Sequence, residues 1–403
     1  MLFDATRHEA LRSHAWDEAR VRDAIAIIVR DTEARFSADA CWPIHPLDAD
    51  DGATQPLYPL YFGACGVIFA LRHLEALGAV RLTRDYARAA DELLPRNRAW
   101  LDARSPRERA SYLMGDTGIE LLRFGLDPSP HITERLAALI AGNLHNPTRE
   151  LMWGSPGTLL AALFLHERTA DARWSDLYRR TADTLWSQLE WSTQHACHYW
   201  SQDMYGQRST YTGGVHGFAA TALPLIRGRH LLDADAWSQW ERCIVNTASR
   251  SATREGSLAN WGAWLETVNG RAPRMLMQFC HGAPGFVVCL GKLPGPALDE
   301  LLAAGGEAVW VAGPLRKGAN LCHGTGGNGY AFLTLYARTG DTAWLERARA
   351  FAMHALAQSE ADAAQHAQRR YSLWTGDLGL AIYLWDCVRA KGEFPSLDVF
   401  FAD

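Results

Sequence analysis

The sequence predicts an all-α chain in which seven helical hairpins form a single α/α toroid, and three observations carry that prediction. A pair of glycines three residues apart recurs along the chain, each time opening an apolar run. Amphipathic segments at helical spacing fill the intervals between pairs. β-Branched alternation is nearly absent, so strand signals are sparse.

Residues 1–60 predict a helix around Asp17–Arg35 and a Pro-bearing loop that leads into the ring. The glycine pairs then follow: Gly63/Gly66 before Val67–Leu71, Gly115/Gly118 before Ile119–Leu122, and Gly154/Gly157 before Thr158–Leu163. Gly282/Gly285, Gly324/Gly327 and Gly376/Gly379 repeat the arrangement. A seventh copy is imperfect, with Ala220 in place of the second glycine after Gly217. This register is preferred to Gly214/Gly217 because it aligns His216-Gly217 with His281-Gly282 and His323-Gly324. Counted from the first glycine of each copy, units start 52, 39, 63, 65, 42 and 52 residues apart. Each interval has room for an apolar helix, a loop and an amphipathic partner such as Asp341–Ala352 or the segment opening at Ala172. Seven such hairpins close into a ring or stay open as a solenoid, and inner helices apolar nearly all round favour closure. Glycines at their starts let backbones approach at one end of the ring, where helix N-termini are expected to attract anions. No composition break divides the chain, so 1–403 reads as one domain.

With 48% hydrophobic and 21% charged residues among 403, a substantial core is expected and disorder is not. The net charge of −5 is dispersed, with no basic block suited to nucleic acid or an anionic membrane. No apolar run approaches a membrane span, and the N-terminus lacks a secretory pattern, so a cytoplasmic location is expected. The eight cysteines form no disulfide framework. Cys289 and Cys387 follow glycine pairs inside apolar runs and read as core thiols. No phosphate-binding loop, dinucleotide fingerprint or Gly-x-Ser-x-Gly turn is present.

Cys280-His281 and Cys322-His323 differ from the other cysteines, since each pair runs directly into a glycine copy. Sulfur and imidazole donors delivered twice beside tight turns point to a metal site open to a small substrate. By spacing, His281 is as good a donor as His323. Sixteen tryptophans suggest an aromatic mouth, with Trp153, Trp261, Trp264 and Trp374 near helix starts expected to line it. A glycosidase or epimerase on a six-hairpin toroid would use such a mouth, but it gives no reason for two Cys-His-Gly segments.

At these residues the chain resembles the lanthionine synthetase C-like (LanC-like) family, most of all its stand-alone branch, along almost its whole length. The matching segments are Phe279–Gly285, Leu321–Gly324, Asn328–Tyr336, Glu150–Gly154 and Ser372–Gly376. The resemblance implies a seven-hairpin toroid with one zinc ion held by Cys280, Cys322 and His323. His281 then becomes a neighbour with an acid–base role. The implied reaction is addition of a thiol to dehydroalanine or dehydrobutyrine in a peptide or protein, forming a thioether. His216 matches the acid–base histidine. Glu150 matches a carboxylate that orients a histidine or transfers a proton, although capping its own helix start is an equal reading. Lys317 matches a lysine of glutathione-using relatives, placed to meet a substrate carboxylate. An arginine is expected upstream of Cys280, with Arg274 and Arg271 as the candidates. The expected partners are therefore a dehydroamino-acid peptide and a small thiol such as glutathione. Two alternatives stay open: a cyclase closing intramolecular lanthionine rings, and a non-catalytic zinc-containing adaptor that binds peptides.

Overall fold

The structure, a computed structural model, describes residues 1–12, 14–49, 55–102, 108–267 and 272–402. Seven helices among them begin immediately after the first glycine of each copy: α2 (Ala64–Ala76), α4 (Asp116–Leu126), α6 (Ser155–Thr169), α8 (Phe218–Arg227), α10 (Ala283–Leu290), α12 (Thr325–Thr339) and α14 (Asp377–Arg389). Their residues are buried on nearly every side. Each packs against the next, and α14 returns to α2, so the ring closes. The fold is an α/α toroid.

Six outer helices follow their inner partners: α3 (Ala87–Asp102), α5 (Pro130–Gly142), α7 (Ala172–Ser187), α9 (Ala234–Ser251), α11 (Asp299–Ala312) and α13 (Thr342–His366). Several start from an aspartate or serine whose side chain accepts an N-terminal N–H, as Asp171 does for α7 and Asp233 for α9. The seventh outer place is taken from the other end of the chain. The helix α1 (Glu18–Arg35), expected as a lead-in, packs beside α14, with Arg22 lying 4.7 Å over the Trp385 ring. The short stretch after α14 does not form the outer helix, and the N-terminal one fills the gap.

The intervals of 63 and 65 residues owe their length to strands that sequence patterning missed. Three two-stranded hairpins occupy them: β1 (Glu190–Ser192) with β2 (Cys197–Tyr199), β3 (Gln202–Met204) with β4 (Gln207–Ser209), and β5 (Ala252–Glu255) with β6 (Leu258–Trp261). Strands of three or four residues are too short for alternation to show.

The glycine copies have a steric reason. A Cβ on Gly327 would overlap the carbonyl oxygen of Leu321, six residues earlier, because the preceding loop folds onto the helix's first turn. That wrap delivers backbone acceptors to the helix start: Thr325, Gly326 and Gly327 donate to Gly318, Ala319 and Asn320, α8 repeats all three bonds, α2 two of them, and α4 and α14 the first. At α8 and α12 these N–H groups are therefore taken within the chain rather than left free for an anion, contrary to the expectation from sequence.

The residues two before each capping glycine link successive loops into a belt of backbone hydrogen bonds. Tyr61 donates to Leu113, Leu113 to Met152, Cys280 to Cys322, Cys322 to Trp374 and Trp374 to Tyr61, all at 2.9–3.2 Å. Leu151 donates to Val215 at 3.2 Å, and Gly213 packs directly against the Cys280 carbonyl. On the far side of this belt the C-terminal segment fills the axis. Phe394 lies 4.5 Å from the Phe279 ring and 4.7 Å from Tyr330, while Phe400 meets Phe69, Phe164 and Tyr112. No described helix is long and apolar enough to cross a membrane.

Candidate metal centre

Because Cys280 and Cys322 sit at equivalent positions on neighbouring loops and share a backbone hydrogen bond, their side chains converge. The ligand atoms of Cys280, Cys322 and His323 all lie within 4.8 Å of one another. His281 is not part of that cluster. It lies beside it, its ring 5.4 Å from Tyr211 and 6.2 Å from His216, and its Nδ1 is buried without a hydrogen-bond partner among the described residues. Both thiols are buried. In the protein alone the two are coupled: the bond from Cys322 holds Cys280 below the usual thiol range, and giving that bond, together with burial, pushes Cys322 up. Burial first, then the charges of Lys317 and Arg370, pulls His323 down to about 4, so its ring is neutral at pH 7. Two thiols that readily lose their protons to a cation, plus a neutral imidazole, form the donor set zinc takes in sites that keep a fourth position open.

On one side of the cluster stands an acid–base pair. The Nδ1 of His216 is 2.8 Å from Glu150 Oε2. Glu150 is fully buried and also accepts the N–H groups of Met152 and Trp153 at 3.0 and 2.6 Å, which fixes the loop ahead of α6 rather than capping the helix itself, whose cap Gly154 has no side-chain bond. Burial draws the His216 pKa down, but the hydrogen bond and charge of Glu150 outweigh it and leave the imidazole above its usual value. His281 goes the other way: burial, His216 and Lys317 pull it down to about 3. Of the two rings, His216 is the one that carries a proton to give near neutral pH.

On the other side a cavity of about 490 Å³ opens past His323, lined among others by Arg12, Arg316, Lys317, Gln358 and Arg370. Arg370 is held by Asp48, donating from Nε at 2.7 Å and also pairing through Nη2. Lys317 is exposed and pairs with no carboxylate among the described residues. Arg274 is exposed as well, and its side chain has no partner among them, while Arg271 lies outside the described residues. The arginine that does reach the cluster is Arg7, which donates to Gln278 beside Cys280. Tyr61, whose hydroxyl faces Cys322, was likewise missed. Nothing in the spacing marks Arg7. Tyr61 could have been found from its place two residues before a capping glycine, the place of both cysteines. Of the four tryptophans expected at the mouth, Trp153 bonds Tyr205 at 2.9 Å and Trp264 packs edge-on to Tyr211, whereas Trp261 and Trp374 are fully buried core.

A second group, His45, Asp362 and His366, also brings its ligand atoms together. The Nδ1 of His45 accepts the Leu47 N–H at 3.2 Å, which leaves the proton on Nε2, 3.9 Å from Asp362. That tautomer has no lone pair to offer there, so His45 is not set up as a metal donor, and its Nε2 finds no hydrogen-bond partner among the described residues.

The description "Lanthionine synthetase C-like protein" matches residues 57–399. The chain belongs to that family. It is 30% identical over 199 residues to a Danio rerio protein named glutathione S-transferase LANCL1, covering 47% of this chain and 46% of the relative. It is 34% identical over 134 residues to LanC-like protein GCL1 of Arabidopsis thaliana, covering 31% of this chain and 30% of that one. The aligned stretches thus span less than half the length of either relative. Among solved structures, nisin cyclase superposes over 96% of this LanC-like chain and 95% of its own, with a TM-score of 0.56 at 14% identity, which bears on the fold alone.

Proposed function

We propose that this LanC-like protein is a zinc-dependent enzyme that adds a glutathione-like thiol to dehydroalanine or dehydrobutyrine residues of a peptide or protein. The observation that carries the reading is the placement of the three clustered donors between the Glu150-bonded His216 and a cavity where Lys317, Arg12 and Arg316 stand among Glu9, Asp362 and Asp377. Cys280, Cys322 and His323 would hold the ion, which when bound lowers the pKa of a coordinating thiol from ~8.5 so that it reacts as the thiolate.

The chain's own residues supply the rest. The substrate thiol loses its proton to solvent, and its sulfur forms a bond to the β-carbon while the C=C π pair moves onto the α-carbon and carbonyl. His216 gives its proton to the α-carbon, and Glu150 holds the ring in place and steadies its positive form. No leaving group is needed, so thiol and alkene sum to the thioether. His281, held neutral beside His216, is too weak a base at about 3 to compete for that proton and serves as an uncharged neighbour. Lys317 and its neighbours meet the carboxylates of the donor, and a cavity of about 490 Å³ favours a separate small thiol over a cysteine of the peptide itself.

The test combines metal analysis with turnover of a dehydroalanine peptide and glutathione. About one zinc per chain and a thioether product are expected. Ring closure without added thiol would make the protein a cyclase. Zinc without turnover of any thiol, in both the wild type and His216→Asn, would make it an adaptor.

A further inference from the structure

We propose that Arg7 and Gln278 form a hydrogen-bond relay that aims an N–H group at the Cys280 sulfur and so tunes the charge this sulfur gives a bound metal ion. The inference rests on the metal reading above but not on the thiol-addition reaction.

The N-terminal segment is tied across the ring rather than left loose. The Leu2 carbonyl accepts from Asn260 Nδ2 at 2.6 Å, the Arg7 carbonyl accepts the Arg316 N–H at 3.0 Å, and the Glu9 N–H donates to Pro314 at 3.0 Å. His8 closes the same stretch, its Nδ1 lying 2.8 Å from the Gly313 carbonyl. So anchored, Arg7 reaches a residue 271 positions away: its Nη2 donates to Gln278 Oε1 at 3.0 Å. The buried Gln278 has its backbone fixed by two hydrogen bonds with His281, at 3.0 and 3.1 Å. Its Nε2 then donates to Cys280 Sγ at 3.0 Å.

A carboxamide fits its space in either orientation, and its neighbours decide which end points where. A guanidinium only donates, so it demands the amide oxygen. The opposite orientation would set donor against donor at Arg7 and oxygen against a thiolate at Cys280. Arg7 thus removes the choice and commits the N–H to the sulfur. The structurally equivalent amide before the next helix, Asn320, does a different job. Its Oδ1 accepts the His323 N–H at 2.9 Å, and its Nδ2 faces the Lys317 carbonyl. Of the two clustered sulfurs, that of Cys280 is the one that receives an amide N–H among the described residues.

An N–H···S bond draws charge off a thiolate. The ion then receives less from Cys280 and takes more from its remaining ligands, a bound substrate thiol included. Partners of metal ligands have effects of this kind, and losing one typically costs 10–100-fold in metal affinity.

Zinc and cobalt(II) are the probes, with Arg7→Met, Arg7→Lys and Gln278→Leu as the variants. In Arg7→Met and Gln278→Leu, zinc affinity by chelator competition should fall about 10–100-fold. The sulfur-to-cobalt charge-transfer band should move to lower energy. Arg7→Lys keeps a donor-only cation and should restore the band toward wild type, which a merely structural effect would not do. Wild-type affinity and an unmoved band in both Arg7→Met and Gln278→Leu would overturn the relay. Arg7 lies at the periphery, so its variants report even if Gln278→Leu fails to fold. Wild-type protein that takes up neither metal would overturn the metal reading and the relay together. Metal uptake with the expected shifts, but no thioether formed, would overturn the proposed reaction and leave the relay standing.

Discussion

The loops before α8, α10 and α12 and the loops before α2, α4 and α6 hold equivalent places around the ring. At the two positions ahead of the capping glycine, the first three carry Val215-His216, Cys280-His281 and Cys322-His323. The second three carry Tyr61-Phe62, Leu113-Met114 and Met152-Trp153. The backbone plan is shared: a glycine cap, a loop folded onto the first helical turn, and a hydrogen bond to the neighbouring loop. One arc carries aromatic and aliphatic side chains there, Tyr61 with its hydroxyl toward Cys322 among them, and the other carries thiols and imidazoles beside Val215. A repeat scaffold can therefore gain a reactive centre by changing two side chains per unit, because the belt already points them toward the axis.

The largest effect that would break or sharpen this comparison sets Cys322→Ala against Leu113→Ala. The cysteine variant should drop from about one zinc per chain to none and lose turnover while staying folded. The leucine variant, truncated at the equivalent place, should keep its zinc and lose about 2–5 kcal/mol of stability in denaturant titration. If both lost zinc equally, the belt and not the side chains would be holding the metal.

Next in size, His216→Asn should reduce turnover by about 10²–10⁴-fold with zinc content unchanged. The conservative Met114→Leu, at the matching position of the other arc, should cost less than about 1.5 kcal/mol and leave turnover alone. Wild-type rates in the asparagine variant would remove His216 from the mechanism.

A smaller effect lies in pH dependence. In the proposed reaction His216 acts as the protonated form, and Glu150 raises its pKa, so the rate should fall as pH rises through that raised value. Glu150→Gln should shift the fall to lower pH. The stability the pair contributes is complete below the unfolded histidine value of about 6.5 and is lost as pH rises through the folded one. Unfolding measured across that window should show the difference between wild type and Glu150→Gln. A rate profile unmoved by the substitution would mean another group sets the limb.

Smallest of all, Lys317→Ala should raise KM for glutathione about tenfold, equivalent to ~1.4 kcal/mol, and leave an uncharged thiol unaffected. Equal behaviour with both thiols would reduce Lys317 to a surface residue.

What was legible in the sequence was whatever the repeat imposes locally. A glycine that must admit a carbonyl six residues back leaves a mark, so the helix starts and the imperfect copy at Gly217/Ala220 could be placed. The same register set Cys280 and Cys322 at equivalent positions. What was not legible depends on chain segments far apart in sequence. The expected upstream arginine, Arg274, is exposed, whereas Arg7 reaches Gln278 from the N-terminal segment. The outer place of α1 beside α14 is likewise a long-range pairing with no local signal. Glu150 shows an intermediate case: its bonds to Met152 and Trp153 are local to the loop, but its partnership with His216 needed the fold.

Phe394 and Phe400 give the ring a property that its name hides. A doughnut with a stopper is a bowl. Nothing can be drawn through it, so a long polypeptide could not be processed by threading, residue after residue, as through a pore. Under the proposed function a peptide would have to dip a flexible stretch in from the open face, react at the bottom and withdraw the way it came. That favours reactive residues on exposed turns or tails, whatever the rest of the substrate is folded into.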